Sequence, residues 1–434
     1  MITKWGWVLL QLSRKLWMRT VLFAVLANVT ALAAILFKDI IPPELAGMIG
    51  ADAVDKILTI LASSMLTVTT FSLSVMIAAF SAATNSVSPR ATRLLMEDST
   101  TQNALATFVG SFLYSIVGII ALSTGAYGEQ GRVILFIVTV GVVVLIVATI
   151  LIWINHLSSL GRVGETSNRV EDAAFSAVQR RVKHPWLGGN KLASTEDISP
   201  NAKPLMSDVI GYIQHVDIKK INSFCAANEI EVFITSLPGA FIHLGRPLLW
   251  MSKLPEGDTD ILSNAFTIQD QRSFDQDPRF GLLVLAEIAS RALSPAVNDP
   301  GTAIEIIGRG MRVLSNWKIT AEEDVPTKED VPTKEDVEYP LVHVLPIELS
   351  DLFDDFFTPI ARDGASLVEI HIRLQKTFLA LAYLGGEFRR EAIRHSELAL
   401  ARAEKSLAYS YDNEVLTQLN QQLQQQPAQV HSTS

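Results

Sequence analysis

Four long apolar runs occupy the first third of the chain, and none of them contains a charged residue. They are Thr20–Phe37, Ile57–Ser88, Ala104–Thr124 and Val133–Asn155. A helix rises about 1.5 Å per residue and the hydrocarbon core of a bilayer is about 30 Å thick, so about 20 apolar residues cross it. The pattern predicts four transmembrane helices within a membrane domain at residues 1–160.

The basic residues that flank these runs indicate an orientation. Arg14 and Lys15 precede the first run, Arg90 and Arg93 follow the second, and Arg162 follows the fourth. Cytoplasmic loops of membrane proteins are enriched in Lys and Arg. We therefore expect a multi-pass protein of the bacterial inner membrane, in contact with the lipid bilayer and with both termini in the cytoplasm.

The second run carries hydroxyl side chains along one face of its predicted helix. At about 100° per residue, roughly one third of the circumference holds Thr59, Ser63, Thr67, Thr70, Ser74, Ser81, Asn85 and Ser88. The face is interrupted at Ile77. Hydroxyl groups need hydrogen-bond partners in lipid, so this face is expected to meet other helices or water.

Two interpretations of this face remain open. In the first it is a packing seam, where Ser and Thr bond back to their own helix and let neighbouring helices approach. In the second, several copies of the helix surround a pore with an apolar constriction. The pore-lining residues would then be Ser63, Thr67, Thr70, Ser74, Ile77 and Ser81. The second interpretation requires a homo-oligomer.

The third run has small residues at a similar spacing. They are Thr107, Ser111, Ser115, Gly118 and Gly125. Small residues at this rhythm are typical of close helix contact. We interpret them as a packing surface.

The rest of the chain reads like a soluble protein. Its pattern predicts a helical extension and linker at 161–205, an α+β domain at 206–320, a duplicated linker at 321–338, a strand and helices at 339–420, and a disordered tail at 421–434. The linker reads EDVPTKEDVPTKEDVE, where proline and charge disfavour packing. The predicted fold is thus a membrane α-helical domain followed by a cytoplasmic α+β domain.

Individual elements follow from the same periodicities. Alternation predicts strands at Gly211–Val216 and Tyr339–Leu345. Predicted helices are Gly164–Val182, Arg279–Leu293, Leu349–Pro359, Ala365–Leu384 and Arg390–Leu419. The acids Asp351, Asp354 and Asp355 are expected on a solvated helix face.

One segment of the α+β domain suggests a small barrel. The stretch LPGAFIHLGRPLLW is similar to the half-motif of biotinyl and lipoyl modules, but it lacks their carrier lysine. We therefore predict a structural β-barrel-like module without a carrier function.

A dense polar set surrounds the predicted helix Arg279–Leu293. Together with Arg90, the candidate ligand or interface residues are Arg272, Asp277, Arg291, Asn298 and Asp299. Helix capping and ion pairs are the alternative explanation, since Asp299 precedes Pro300 at a predicted helix start.

The amino-acid composition limits the partners, metal sites and catalytic activities that we expect of the protein. The net charge is −9, from 36 basic and 45 acidic residues, and without a basic block nucleic acid is not an expected partner. The lone Cys225 excludes an internal disulfide framework and multi-cysteine zinc sites. The histidines are scattered, so we predict no metal and no cofactor. With no catalytic motif to nominate, we predict no catalytic residues and do not expect an enzyme.

Two separated blocks resemble a bacterial family. They are FSLSVMIAAFSAATNSVSPRATRLLMEDSTTQNALATFVGSFLYSIV and RSFDQDPRFGLLVLAEIASRALSPAVNDPGTA. They are similar to the predicted membrane proteins grouped as domain of unknown function 2254, from the first run to about Trp317. The resemblance singles out Ser88-Pro89-Arg90, Asp277-Pro278 and Ser294 to Pro300. It implies a four-span inner-membrane protein with a cytoplasmic domain, and no established activity.

Two functional hypotheses follow. The first is a homo-oligomeric channel or passive transporter whose second helix lines the path and whose cytoplasmic domain regulates it. The alternative is a membrane-anchored binding or regulatory module without transport. The ion or small-molecule ligand is unspecified in both. A membrane-tethered enzyme is the weakest hypothesis, because it needs a nucleophile, base or metal cluster.

Overall fold

The structure is a computed structural model that describes residues 18, 21, 22, 25, 29, 51–124, 128–321 and 337–426. The chain divides into two compact units. Of the described residues, the N-terminal unit takes in those from Met18 to Asn85 together with Thr92–Thr166. The C-terminal unit takes in Ser86–Ala91 and the chain from Ser167 onward.

The N-terminal unit is helical. Its elements are α1 (Ala51–Ser86), α2 (Thr92–Met96), α3 (Ser99–Ser123) and α4 (Gly128–Leu157). Three described stretches are long and apolar enough to cross a bilayer: Ala53–Thr84, Thr92–Ser123 and Gly131–Leu157. The second, third and fourth predicted spans are thus confirmed as apolar helices.

The first predicted span lies largely outside the described residues. Val21, Leu22, Val25 and Val29 are described, and all four are helical and exposed.

Small residues of α3 pack as predicted. Thr107, Ser111, Ser115 and Gly118 are buried. A Cβ added at Gly118 would come within 2.9 Å of the Leu58 side chain, so α3 and α1 approach closely at this point. Gly125 lies outside the described residues.

The helix α1 ends earlier than its apolar run. The sequence predicts a span through Ser88, but the helix ends at Ser86, and a turn follows in which the Ala91 amide donates to the Ser88 carbonyl at 3.1 Å. Pro89 explains the difference, since a proline disfavours the helical conformation of the residue before it. Ser88 therefore does not continue the hydroxyl face.

The C-terminal part begins with α5 (Val163–Lys183), which lies at the predicted helix Gly164–Val182 and follows a turn after α4. The following strands are β1 (Gly189–Lys191), β2 (Lys203–Met206), β3 (Gly211–Val216), β4 (Val232–Ile234), β5 (Phe241–Ile242), β6 (Pro247–Met251), β7 (Phe266–Gln269) and β8 (Tyr339–Val344). Short helices α6 (Ile218–Asn228) and α7 (Asp260–Ser263) lie between them.

The strands form two sheets around one core. The order is β1-β8-β4-β6-β2 in the five-stranded sheet and β5-β3-β7 in the three-stranded sheet. Buried apolar residues from both sheets share a single cluster that includes Ile213, Val232, Leu249 and the thiol-bearing Cys225. Burial raises the pKa of the Cys225 thiol to about 12.

The predicted β-barrel-like module is wrong. Both sheets are open over the residues that the structure describes, since each has two edge strands. The segment around Gly239 supplies only the two-residue β5 and most of β6, which belong to different sheets. Turn residues between short apolar strands do not specify which sheet each strand joins.

The predicted linker at 161–205 is partly sheet. Its residues Gly189–Lys191 form β1, which pairs parallel to β8 from the far side of the duplicated segment. Gly189 permits this pairing, because an added Cβ would lie 2.5 Å from the Val342 carbonyl oxygen. A glycine-rich strand has no apolar alternation to reveal it in sequence.

The C-terminal helices are α8 (Pro278–Ala292), α9 (Pro300–Ala321), α10 (Leu349–Asp363), α11 (Val368–Ala382), α12 (Gly386–Ser406) and α13 (Ser410–Gln425). The duplicated segment lies almost entirely outside the described residues. The rings of Phe353, Phe356, Phe357 and Phe378 are fully buried and form the centre of this helical layer.

Three helix boundaries differ from prediction. The helix α10 continues past Pro359, because the buried Phe356, Phe357 and Ile360 hold it in the core. The predicted helix Arg390–Leu419 is divided at Leu407, which is extended without any glycine or proline to announce it. The helix α13 runs through Gln425, past the predicted start of the tail at residue 421.

Candidate functional site

The hydroxyl face of α1 is exposed in the N-terminal unit. Ser63, Thr67, Thr70 and Ser74 are all exposed. Each hydroxyl donates to a carbonyl one turn earlier in its own helix, at 3.1, 3.0, 2.9 and 2.9 Å. Ser81 is also exposed, and Ile77 is 58% exposed. The stripe of these six residues is called the hydroxyl stripe below.

The opposite side of α1 faces the interior of its unit. Ser72 follows Ser63 by two and a half turns, at about 3.6 residues per turn, so it lies on the side of α1 opposite Ser63. Ser72 is 1% exposed. Leu58, Leu61 and Met65 are buried on the same side. Among the described residues, α1 therefore packs through this side, and the hydroxyl stripe stays exposed.

Sequence reasoning missed two polar contacts inside this unit. The Trp153 indole donates to the Ser72 hydroxyl at 3.0 Å. Near the start of α3, Asp98 accepts from the Thr101 amide at 2.8 Å and lies 2.9 Å from His156 Nε2. Asp98 and His156 lie 58 positions apart, outside the ends of the predicted spans, and no spacing rule connects them.

The turn after α1 is tied to the C-terminal unit. Ser88, which is 2% exposed, donates to Glu287 Oε2 at 2.9 Å, and Arg90 forms an ion pair with the same carboxylate. The Arg90 amide also donates to the Ser88 hydroxyl at 3.2 Å. The two blocks that carry the family resemblance therefore meet at Glu287. Of the predicted ligand residues, Arg90 belongs to this contact.

Asp277 occupies the N-terminal end of α8 and is 1% exposed. One carboxylate oxygen accepts from the Arg279 amide at 3.1 Å, and the other accepts from Arg272 Nε at 2.7 Å. The Arg272 guanidinium also lies over the Phe280 ring, 5.2 Å from its centroid. Capping of α8 and the ion pair with Arg272 account for these contacts of the carboxylate.

Asn298 and Asp299 lie beyond the other end of α8. Both are exposed, and Asn298 has a left-handed backbone with φ of 50°. Asp299 accepts from the Thr302 hydroxyl at 2.5 Å and the Thr302 amide at 3.0 Å, which lowers the pKa of its carboxyl group. It thus caps α9.

The six predicted ligand residues do not form one site. The 15-residue helix α8 is about 22 Å long at about 1.5 Å per residue, and it separates Asp277 from Asp299. Arg291 lies one turn after Glu287 on α8 and is half-buried. Asp277 and Asp299 are close in sequence, but the length of α8 keeps them apart in space.

The acidic side chains predicted on a solvated face of α10 form ion pairs, and those of Asp351 and Asp354 are also 46% and 48% exposed. Arg279 binds Asp351 at 2.7 Å and Asp355 at 2.7 Å, and Arg394 binds Asp354 at 3.0 Å. These ion pairs connect α10 to α8 and α12. The partners come from helices distant in sequence, so the composition of α10 alone did not indicate them.

A second arginine cluster was also missed. Arg309 is 7% exposed, and its Nη1 donates to Glu171 at 2.7 Å and to Asn168 at 2.6 Å. Arg312 binds the same carboxylate at 2.6 Å. Although burial acts to raise the pKa of Glu171, the two arginines lower it on balance. The cluster joins α5 to α9.

Two histidines of the helical layer, His371 and His395, are buried. Burial, and then the charge of Arg402, lower the pKa of His371 to about 4. Burial and Arg394 lower the pKa of His395 to about 4. Within residues 51–124, 128–321 and 337–426 there is no group of three or more His, Cys, Asp or Glu side chains placed to hold a metal ion.

Replacing His371 with leucine is expected to remove part of the acid lability of the protein. His371 is fully buried, and neither ring nitrogen has a hydrogen-bond partner within the part of the chain that the structure describes. Because its folded pKa lies near 4 and an unfolded histidine titrates near 6.5, stability is present above about pH 6.5 and is lost as pH falls toward 4. The slope is at most about 1.4 kcal/mol per pH unit for one such group.

Thermal unfolding of the wild type and His371→Leu at pH 8 and pH 5 checks this. The variant should gain stability at both values, because an unpaired polar group is removed, and should gain more at pH 5. Equal gains at the two pH values would contradict the titration of His371.

The apolar helices and the family comparison together identify the class. Three described helices have the length and composition of membrane spans, and the chain is a membrane protein in contact with lipid. It belongs to the family described as predicted membrane protein (DUF2254), whose model matches residues 13–380. The match includes the hydroxyl stripe, the turn at Ser88 and α8.

Mycobacterial proteins are among its relatives. The chain is 25% identical over 265 residues to the uncharacterized proteins MT1328 and Rv1290c of Mycobacterium tuberculosis and Mb1321c of Mycobacterium bovis. The alignment covers 58% of this chain and 50% of each relative, so the chain spans about half the length of the curated relatives it matches. No solved structure matches the chain.

Proposed function

We propose that the protein is a homo-oligomeric channel or passive transporter of the bacterial inner membrane, with both termini in the cytoplasm. The hydroxyl stripe of α1 lines the path. The single observation that carries the proposal is the outward direction of this stripe. Ser63, Thr67, Thr70 and Ser74 are exposed, while the opposite side of α1 supplies the packing within the unit.

Exposed apolar side chains flank the stripe on both sides. Leu66 and Leu73 lie on one side, and Ile60 and Phe71 lie on the other. In a ring of subunits the flanking residues would meet neighbouring copies, and the hydroxyls would face the centre. The back-bonded hydroxyls retain lone pairs that accept hydrogen bonds from water, and Ile77 provides an apolar constriction.

The C-terminal unit is proposed to regulate the path through the turn that follows α1. Ser86–Ala91 groups with the C-terminal unit, where Ser88 and Arg90 bind Glu287. A displacement of α8 would therefore act on residues that follow the hydroxyl stripe directly in the chain. This contact supports regulation by the C-terminal unit.

Current across planar bilayers tests the proposal. Purified wild-type protein should conduct, and Thr70→Phe should abolish the current, because a ring from each subunit fills the path. Ile137→Phe adds similar bulk at an exposed position of α4, away from the stripe and its flanks, and should leave the current intact. Silent wild-type bilayers, or equal currents from all three proteins, would contradict conduction and favour a membrane-anchored binding module.

A further inference from the structure

A cavity of about 590 Å³ opens on the outer face of the five-stranded sheet. Small-molecule sites in proteins have volumes of about 300–1,000 Å³. Its walls come from the segment around Thr195, the end of β4 at Thr235, the start of β6 at Arg246 and Pro247, and Leu345 after β8. The volume is that of a small-molecule site.

The sheet beneath this cavity carries a row of planar side chains. Register places Pro204, Trp250, Phe233 and His343 side by side across β2, β6, β4 and β8. The Phe233 and His343 rings stack with centroids 5.0 Å apart. Side chains alternate along strands, so this row lies opposite the buried core residues, and each member is partly or fully exposed.

The cavity lining offers donors and no carboxylate. Arg246 is held in a turn, where its Nη1 donates to the Phe241 carbonyl at 3.2 Å, and it has no acidic partner in the described part of the chain. A guanidinium has five N–H donors, so most of the donors of Arg246 remain available to other acceptors. Trp250 and Thr235, whose side chains each carry a hydrogen-bond donor, also line the cavity.

We propose that this cavity binds a small anion that carries a planar ring. Arg246 binds the carboxylate or phosphate, and Trp250 stacks on the ring. A guanidinium pairs with both of these anions through two parallel hydrogen bonds. The proposal depends only on the cavity and not on conduction by the membrane helices.

Binding to the full-length protein in detergent tests the proposal. The ring-bearing anions AMP and benzoate are the probes, adenosine is the matched uncharged ring, and inorganic phosphate is the matched anion without a ring. At least one of AMP and benzoate should bind saturably. Adenosine and inorganic phosphate should each bind at least about tenfold more weakly than AMP if AMP is the bound probe.

Variants separate the two contacts. Arg246→Gln should weaken binding of the anion by about tenfold or more, and Trp250→Leu should weaken it as well. Arg390→Gln removes an exposed arginine elsewhere in the same unit and should have no effect. Arg246→Lys, which keeps the positive charge but not the two-pronged guanidinium, should recover part of the affinity that Arg246→Gln loses.

Several results would overturn the proposal. They are no saturable binding of either ring-bearing anion, equal binding of adenosine and AMP, or unchanged affinity in Arg246→Gln. If Arg246→Gln does not fold, unchanged affinity in Arg246→Lys and Trp250→Leu together would have the same consequence.

Discussion

Replacing Asp277 with alanine is expected to lower the melting temperature of the protein by roughly 5–10 °C. The change removes the acceptor for the first amides of α8 and leaves Arg272 without its carboxylate. Losing an N-cap costs about 0.5–2 kcal/mol, and stranding a mostly buried charge adds to it. Arg181 adds to the destabilisation. Burial lowers the pKa of its guanidinium to about 10, and the charge of Asp277, which opposes this lowering, is removed by the substitution.

Thermal unfolding of full-length protein measures this effect against two controls. Asp277→Asn keeps an oxygen for the cap and should fall between the wild type and alanine. Asp270→Ala removes an exposed acid a few residues earlier and should change little. If Asp277→Ala unfolds at the same temperature as Asp270→Ala, the structural role of Asp277 is wrong.

Replacing Gly310 with alanine is expected to destabilise the helical layer by about 1–3 kcal/mol. An added Cβ would overlap the ring of Phe356, which is fully buried against Phe357. Alanine favours a helix over glycine by about 1 kcal/mol, but the ring has no free space into which it can move.

Gly308 provides a matched control on the same helix. A Cβ there would meet only the end of the Arg373 side chain, at 2.9 Å, and that side chain can shift. Gly308→Ala should therefore be neutral or slightly stabilising, and Gly310→Ala should lower the melting temperature. Equal melting temperatures for the two variants would show that Phe356 does not press on α9.

The membrane helices are well predicted from the sequence, because a helix that crosses lipid must be apolar over about 20 consecutive residues. The hydroxyl stripe followed from the same reasoning, since about 3.6 residues per turn places Ser63, Thr67 and Ser74 on one face. The direction of that face could not be predicted. It depends on which side of α1 packs against α3 and α4, and the sequence of α1 contains apolar residues on both flanks.

The polar site is less well predicted from the sequence, because polar residues that are close in sequence need not be close in space. The helix α8 separates Asp277 from Asp299. Glu287 instead binds Arg90, 197 positions away. Contacts at such separations leave no local pattern, and only the resemblance of both blocks to one family suggested a connection between them.

The β-structure failed in prediction for a different reason. The strand β1 is short and polar, and β8 joins it from beyond the duplicated segment. Pairing between such strands depends on the close approach that Gly189 allows, and apolar alternation does not report it. The cavity beside Arg246 was missed for the same reason, because its walls come from four separate segments.

Cysteine accessibility along α1 tests the central claim most directly. Cys225 is fully buried, so a cysteine introduced at Ser63, Thr67, Thr70 or Ser74 would be the reactive thiol. In native membranes a charged, water-soluble thiol reagent should modify these four positions and should leave cysteines at Leu66 and Leu73 unmodified. Modification of Leu66 and Leu73 positions alone, or no modification at any of the six, would contradict a water-filled path along the hydroxyl stripe.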